Sequence, residues 1–147
     1  MKIEELKIEY ANQDNRCTAY PIYVTVQELV CIGVMAEGYG VSCPYGDGET
    51  KIEYRHKEDC ELSFKSSKKL DKFLCQNNDY TKQDFEEINV GYIWHTVEFF
   101  LTIKGAERYI KCNSHNHGKL RTYVHHFERR NFEMKGLLEE LGFKIKD

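Results

Sequence analysis

Between Tyr92 and Leu141 the spacing of apolar residues shifts from alternation to a three-and-four repeat, then back, then forward again. This constrains the fold more than any other feature of the chain. Tyr92–Thr102 (YIWHTVEFFLT) is rich in β-branched and aromatic residues and alternates as a strand does. Ile93, Val97, Phe99 and Leu101 share one face, interrupted by His95; Tyr92, Trp94, Thr96, Glu98 and Phe100 share the other. Large apolar groups on both faces predict a central strand covered on both sides, by its own chain or by a second copy. Amid those apolar neighbours His95 is expected to be an interior, hydrogen-bonded residue.

Ile103, Ala106 and Ile110 then recur at helical spacing with Glu107, Arg108 and Lys111 between them. They predict a short amphipathic helix, capped by Thr102 and ending near Asn113. Ser114–Gly118 (SHNHG) has the composition of a turn. Leu120–Phe127 (LRTYVHHF) returns to alternation, with Leu120, Thr122, Val124 and His126 against Arg121, Tyr123, His125 and Phe127. In the last helix Asn131 is the expected cap and Glu133 suits the first turn. Met134, Leu137, Leu138 and Leu141 form the apolar stripe, and Gly142 stands where a left-handed residue closes a helix.

Upstream, Asn12–Cys17 is turn-like, and Pro21–Met35 is a long β-prone run with proline at its entrance. Glu37–Glu49 is a glycine-rich connection, and Thr50–His56 alternates again. These two β runs predict a large hairpin. Glu61–Phe64 adds a short strand. Ser66 or Ser67 opens a helix carrying Leu70, Phe73 and Leu74 and closed by Asn77-Asn78. Thr81 and Asp84 have the spacing of a capping box for a short helix through Ile88. The expected architecture is α+β: a single compact domain over 1–147, with a mixed or antiparallel sheet, an N-terminal hairpin and a C-terminal β-α-β-α block.

A chain of 147 residues is long enough for a core of its own, and 41% hydrophobic content suits one. A net charge of −3 is too near neutral to nominate a polyanion or a membrane surface on charge alone. MKIEELKIEY lacks the apolar stretch of a signal peptide, and no run approaches the roughly 20 apolar residues of a membrane span. The six cysteines, at 17, 31, 43, 60, 75 and 112, contain no close C-x-x-C pair. They are expected to be reduced, buried thiols of a cytoplasmic protein.

The sharpest local cluster is Cys112, His115 and His117, whose thiolate and imidazoles suit zinc. A fourth ligand from His125 is disfavoured, because eight extended residues separate it from His117, on the order of 26 Å. The simpler reading is a polar turn after a helix, with no cofactor. The contiguous His115-Asn116-His117 matches the lettering of HNH nucleases but not their spread-out spacing. Lys119–Arg130 (KLRTYVHHFERR) is basic and aromatic, with a single carboxylate. Such a strip stacks bases or binds phosphate, docks an acidic protein surface, or is a solvated strand edge. Arg129, Arg130 and Asn131, just before a helix, add an anion-binding option, with Glu133 competing for the same positive end. No G-x-S-x-G, phosphate-cradling glycine loop or H-E-x-x-H is present.

Asp14-Asn15-Arg16, Thr18-Ala19 and Pro21-Ile22-Tyr23-Val24, followed by Asn113, His115-Asn116, Tyr123-Val124, Arg130-Asn131 and Glu133-Met134, resemble a family of small bacteriophage and prophage accessory proteins. His117 and Leu120 depart from that pattern, where Leu and Pro are expected. The resemblance implies expression inside an infected bacterium and carries no activity with it. The expectation is therefore a non-catalytic protein that binds a host component, through a surface running over His115, Asn116, Arg121, Tyr123, His125, Arg130 and Asn131. A nucleic-acid-binding protein using residues 119–130 and a metal-dependent enzyme built on Cys112, His115 and His117 are the alternatives.

Overall fold

The structure is a computed structural model and describes residues 1–16, 21–35, 48–128 and 130–144. Cys17, Cys43, Arg129 and most of the expected Glu37–Glu49 connection lie outside the described residues. The fold is α+β. Its elements run α1 (Ile3–Asn12), β1 (Ile22–Val34), β2 (Gly48–His56), β3 (Ser63–Phe64), α2 (Ser67–Gln76), β4 (Phe85–Phe100), α3 (Ile103–Asn113), β5 (Leu120–His126) and α4 (Phe132–Glu140). The strands form an antiparallel sheet in the order β3-β2-β4-β1-β5.

That order corrects the expected hairpin, because β4 stands between β1 and β2. Alternation marks a strand but not its neighbour. The first half of β4 pairs along the whole of β2, from His56 opposite Phe85 to Gly48 opposite Ile93. The same pairing corrects the helix expected through Ile88. Thr81 and Asp84 do form a capping box, with Asp84 Oδ2 accepting from the Thr81 N–H at 2.6 Å. It closes only a 3-10 turn over Lys82–Asp84, and Phe85 already belongs to β4.

The chain divides into two compact units, Met1–Leu29 with His95–Asp147, and Val30–Trp94. In the first, β1 and β5 pair in a register that sets Ile22 opposite His126 and Glu28 opposite Leu120. One side of this pair is the core: Ile22, Val24, Val26 and Val124, packed with Tyr10, Ala106, Leu138 and Phe143. Burying each such aliphatic side chain contributes about 1.5–3 kcal/mol.

Tyr10 is fully buried and locks α1 to the head of β1: its hydroxyl accepts from the Ile22 N–H at 3.0 Å and donates to the Ile22 carbonyl at 3.2 Å. Gln13 grips the β4–α3 junction, donating to the Leu101 carbonyl and accepting from the Ile103 N–H at 2.9 Å. Thr102 caps α3 by accepting from the Gly105 N–H, and α3 ends at Asn113, both as expected. Asn131 caps α4 by accepting from the Met134 N–H, and Gly142 takes a φ of +78°. The stripe on α4 is narrower than its spacing suggests. Leu138 is buried, whereas Leu137 and Leu141 are exposed, because a nine-residue helix meets the core along a single line.

In the second unit Ser66 caps α2, and Leu70 is its buried residue. Phe64, Phe73, Tyr80 and Phe85 form an aromatic cluster with His56, whose Nδ1 accepts the N–H groups of Glu58 and Asp59. The buried Glu53 carboxylate accepts a hydrogen bond from the Tyr92 hydroxyl. Burial first, and then that carboxylate, pushes the Tyr92 phenol well above its ordinary value.

Candidate binding surface

The residues of the basic strip do not all come together. Three of them, Arg121, Tyr123 and His125, project from alternate positions of β5, opposite Gln27, Thr25 and Tyr23 of β1. The Arg121 guanidinium lies 5.1 Å from the Tyr123 ring centroid, and its Nε donates to the Gln27 side-chain oxygen at 2.8 Å. Tyr123 packs on His125 at 4.7 Å, and His125 lies flat on Tyr23. Tyr23 in turn meets Phe127 at 4.8 Å and Phe99 at 6.2 Å. The result is a continuous ladder of six residues joined by five contacts, running from the Arg121 cation across the paired strands β5 and β1 to Phe127 and to Phe99 of β4.

Around the Tyr23 end the ladder opens into a hollow of about 370 Å3 lined by Tyr23, Phe99, Phe100, Leu101, Phe127 and Met134. Phe99, at its rim, is 64% exposed. The Tyr92–Thr102 strand, expected to be covered on both sides by its own chain or by a second copy, is not so covered by its own chain: β4 is central in the sheet's hydrogen bonding, but its chain leaves Phe99 exposed at this end. His95, expected in the interior, is exposed as well. Period alone says which residues share a face, and not whether another layer lies over that face.

His125 is held by its ring contacts and by Thr25, whose hydroxyl oxygen is 2.8 Å from its Nε2. Burial, followed by the nearby His126 and Arg121 charges, pulls its pKa below the ordinary histidine value. Thr25 is only 1% exposed, so its hydroxyl holds the half-buried imidazole from below and fixes the ring.

His117 is drawn elsewhere. Its Nδ1 sits 3.0 Å from Glu28 Oε2, and its Nε2 is 3.5 Å from the Tyr109 hydroxyl. Glu28 also accepts the Gly118 N–H at 2.7 Å, and that bond first, then His117, holds its carboxyl below the usual range. The Cys112, His115 and His117 set is not assembled, and among the described residues no three His, Cys, Asp or Glu side chains are placed to hold a metal ion. Cys112 is exposed, as are Cys31, Cys60 and Cys75, which corrects the expectation of buried thiols.

His115 and Asn116 lie exposed on a 3-10 turn over Ser114–Asn116, away from the ladder's contacts. Arg130 is exposed at the entrance to α4, and the Asn131 side chain is spent on its own helix cap. Sequence reasoning missed Tyr23, Phe99 and Glu28. Glu28 had a usable signal, a carboxylate inside an otherwise apolar strand run. Tyr23 and Phe99 had none, since aromatic residues in strands are the ordinary case.

No helix of the described residues is long and apolar enough to cross a membrane. Comparison of the chain with protein-family models, curated proteins and solved structures returns no match.

Proposed function

We propose that this chain is a non-catalytic binding protein of phage or prophage origin, acting in the cytoplasm of an infected bacterium on a host protein. The observation that carries this reading is the Arg121–Tyr123–His125–Tyr23 ladder ending in the apolar hollow beside Phe99 and Phe127. Tyrosine, phenylalanine, methionine and arginine are enriched at protein–protein interfaces, and tyrosine and arginine among the hot spots that fill well-packed pockets there. The chemistry fits a partner that offers an apolar side chain to the hollow and a carboxylate to Arg121. The phage resemblance supports the setting.

The test is capture of host proteins from bacterial lysate by the native chain, by Arg121→Glu and by Phe99→Glu. A host protein retained by the native chain and lost by both variants supports the reading; identical captures by all three overturn it.

The same ladder favours a second reading, because single-stranded nucleic acid is held by stacking bases on aromatic rings beside a cation. Binding to a labelled single strand that weakens steeply with salt supports that reading. No binding at low salt removes it.

A further inference from the structure

The edge of β5 is built to pair. Phe127 N–H donates to the Pro21 carbonyl and Leu29 N–H to the Lys119 carbonyl, both at 2.9 Å. Antiparallel ladders alternate between residues that bond the neighbouring strand and residues that face away from it. Stepping inward from those two bonds, the pairs Tyr23–His125, Thr25–Tyr123 and Gln27–Arg121 face each other. The backbone N–H and C=O groups of Leu120, Thr122, Val124 and His126 therefore point away from β1, and β5 is the last strand of the sheet among the described residues.

One group already occupies part of this edge. Arg16 donates from Nη1 to the Thr122 carbonyl at 3.2 Å and from Nη2 to the Thr122 hydroxyl at 3.0 Å. Arg16 is exposed and adopts a φ of +50°, a left-handed conformation that a non-glycine residue rarely takes, with its N–H held by Asp14 Oδ1. A strained residue is here positioned to satisfy an outward strand carbonyl, which is what a sixth strand would otherwise do.

We propose that the edge of β5 pairs antiparallel with β5 of a second copy of the chain, about a two-fold axis at Tyr123, displacing Arg16. An edge paired with its own copy is complementary by symmetry. Tyr123 is the midpoint of Leu120–His126, so this register alone uses all the outward residues at once. It sets Thr122 opposite Val124 of the partner subunit and Leu120 opposite His126 of the partner subunit. On the aromatic side, Arg121 meets the neutral imidazole of the partner subunit's His125, and the two Tyr123 rings meet across the axis. No like charges are opposed. The two ladders would join into one strip, so each copy contributes rings to the other's surface. This assembly stands apart from the host-protein reading and does not rest on it.

Sedimentation equilibrium of the whole chain across a wide range of protein concentration tests it. The native chain is expected to rise from the mass of one copy toward that of two. Arg16→Ala, which removes the competitor, should shift the rise to several-fold lower concentration. Thr122→Pro removes an outward N–H without touching the β1 pairing, a place where edge strands tolerate proline; it should remain at the mass of one copy throughout. Tyr123→Arg opposes like charges on the axis and should do the same, which covers the case where the proline variant does not fold. A native chain and an Arg16→Ala variant that stay single at every concentration overturn the proposal. So does association of the folded Thr122→Pro and Tyr123→Arg variants at native strength.

Discussion

The imidazole of His125 lies on the phenol of Tyr23 with ring centroids 4.8 Å apart and planes only 8° from parallel. The two residues are direct cross-strand partners, so backbone pairing and ring stacking fix each other. Through His125 the Arg121–Tyr123 contact is joined to the hollow beside Phe99. The surface is a property of this pairing more than of any single side chain.

Because the folded-state pKa of His125 lies below the unfolded value, the neutral ring's contribution is fully present above about pH 6.5. It is lost as pH falls through the folded value, where the unfolded chain binds the proton more readily. NMR titration of the imidazole should show a midpoint under the ordinary histidine value. A midpoint at or above about 6.5 would contradict the burial of the ring in the stack.

Phe99 separates binding from folding. It is mostly exposed, so Phe99→Ala should change stability by no more than about 0.5 kcal/mol. The same change should weaken retention of a bound host protein. Chemical denaturation and capture, measured on one preparation, check both halves. A large loss of stability would mean that the ring is a core residue after all.

Tyr10→Phe should be costly although it removes one oxygen. The ring stays packed edge-on against Phe143, but the Ile22 N–H and carbonyl, both inside the core, lose their hydroxyl partner. Each buried group left unsatisfied costs about 1–3 kcal/mol. Thermal unfolding should register a clear drop. An unchanged transition would show that α1 is not fastened to β1 through this hydroxyl.

Glu53 and Tyr92 make the second unit sensitive to alkali. The Tyr92 pKa is raised above its unfolded value near 10, so its contribution is complete below about pH 10 and lost as pH climbs toward the folded value. Tyr92→Phe leaves the Glu53 carboxylate buried without that hydroxyl and should cost about 1–3 kcal/mol at neutral pH. Tyrosinate absorbance followed through an alkaline titration should include one tyrosine that ionises late in the native chain. Finding that late step intact in Tyr92→Phe would assign it to another residue.

Local chemistry was legible where a residue acts on its near neighbours in sequence. Thr102, Ser66 and Asn131 cap the helices that their side chains announce, Gly142 takes the left-handed conformation, and the period change after Phe100 marks the strand-to-helix junction. The basic strip divided differently. Arg121, Tyr123 and His125 came together because alternation puts them on one side of β5, while His115, Asn116 and Asn131 belong to turns and caps with partners of their own or none in the ladder.

The sequence by itself determined the secondary structure of the last third and the set of side chains that share a strand face, because both follow from periods of two and three-to-four residues along one segment. Only the tertiary structure decided that β4 separates β1 from β2, that His117 turns to Glu28 instead of Cys112, and that Tyr23 and Phe99 complete the ladder begun on β5. Each of these joins residues far apart in the chain. Such contacts are selected by competition among many possible partners for burial and hydrogen bonds, and a local pattern carries no record of which partner wins.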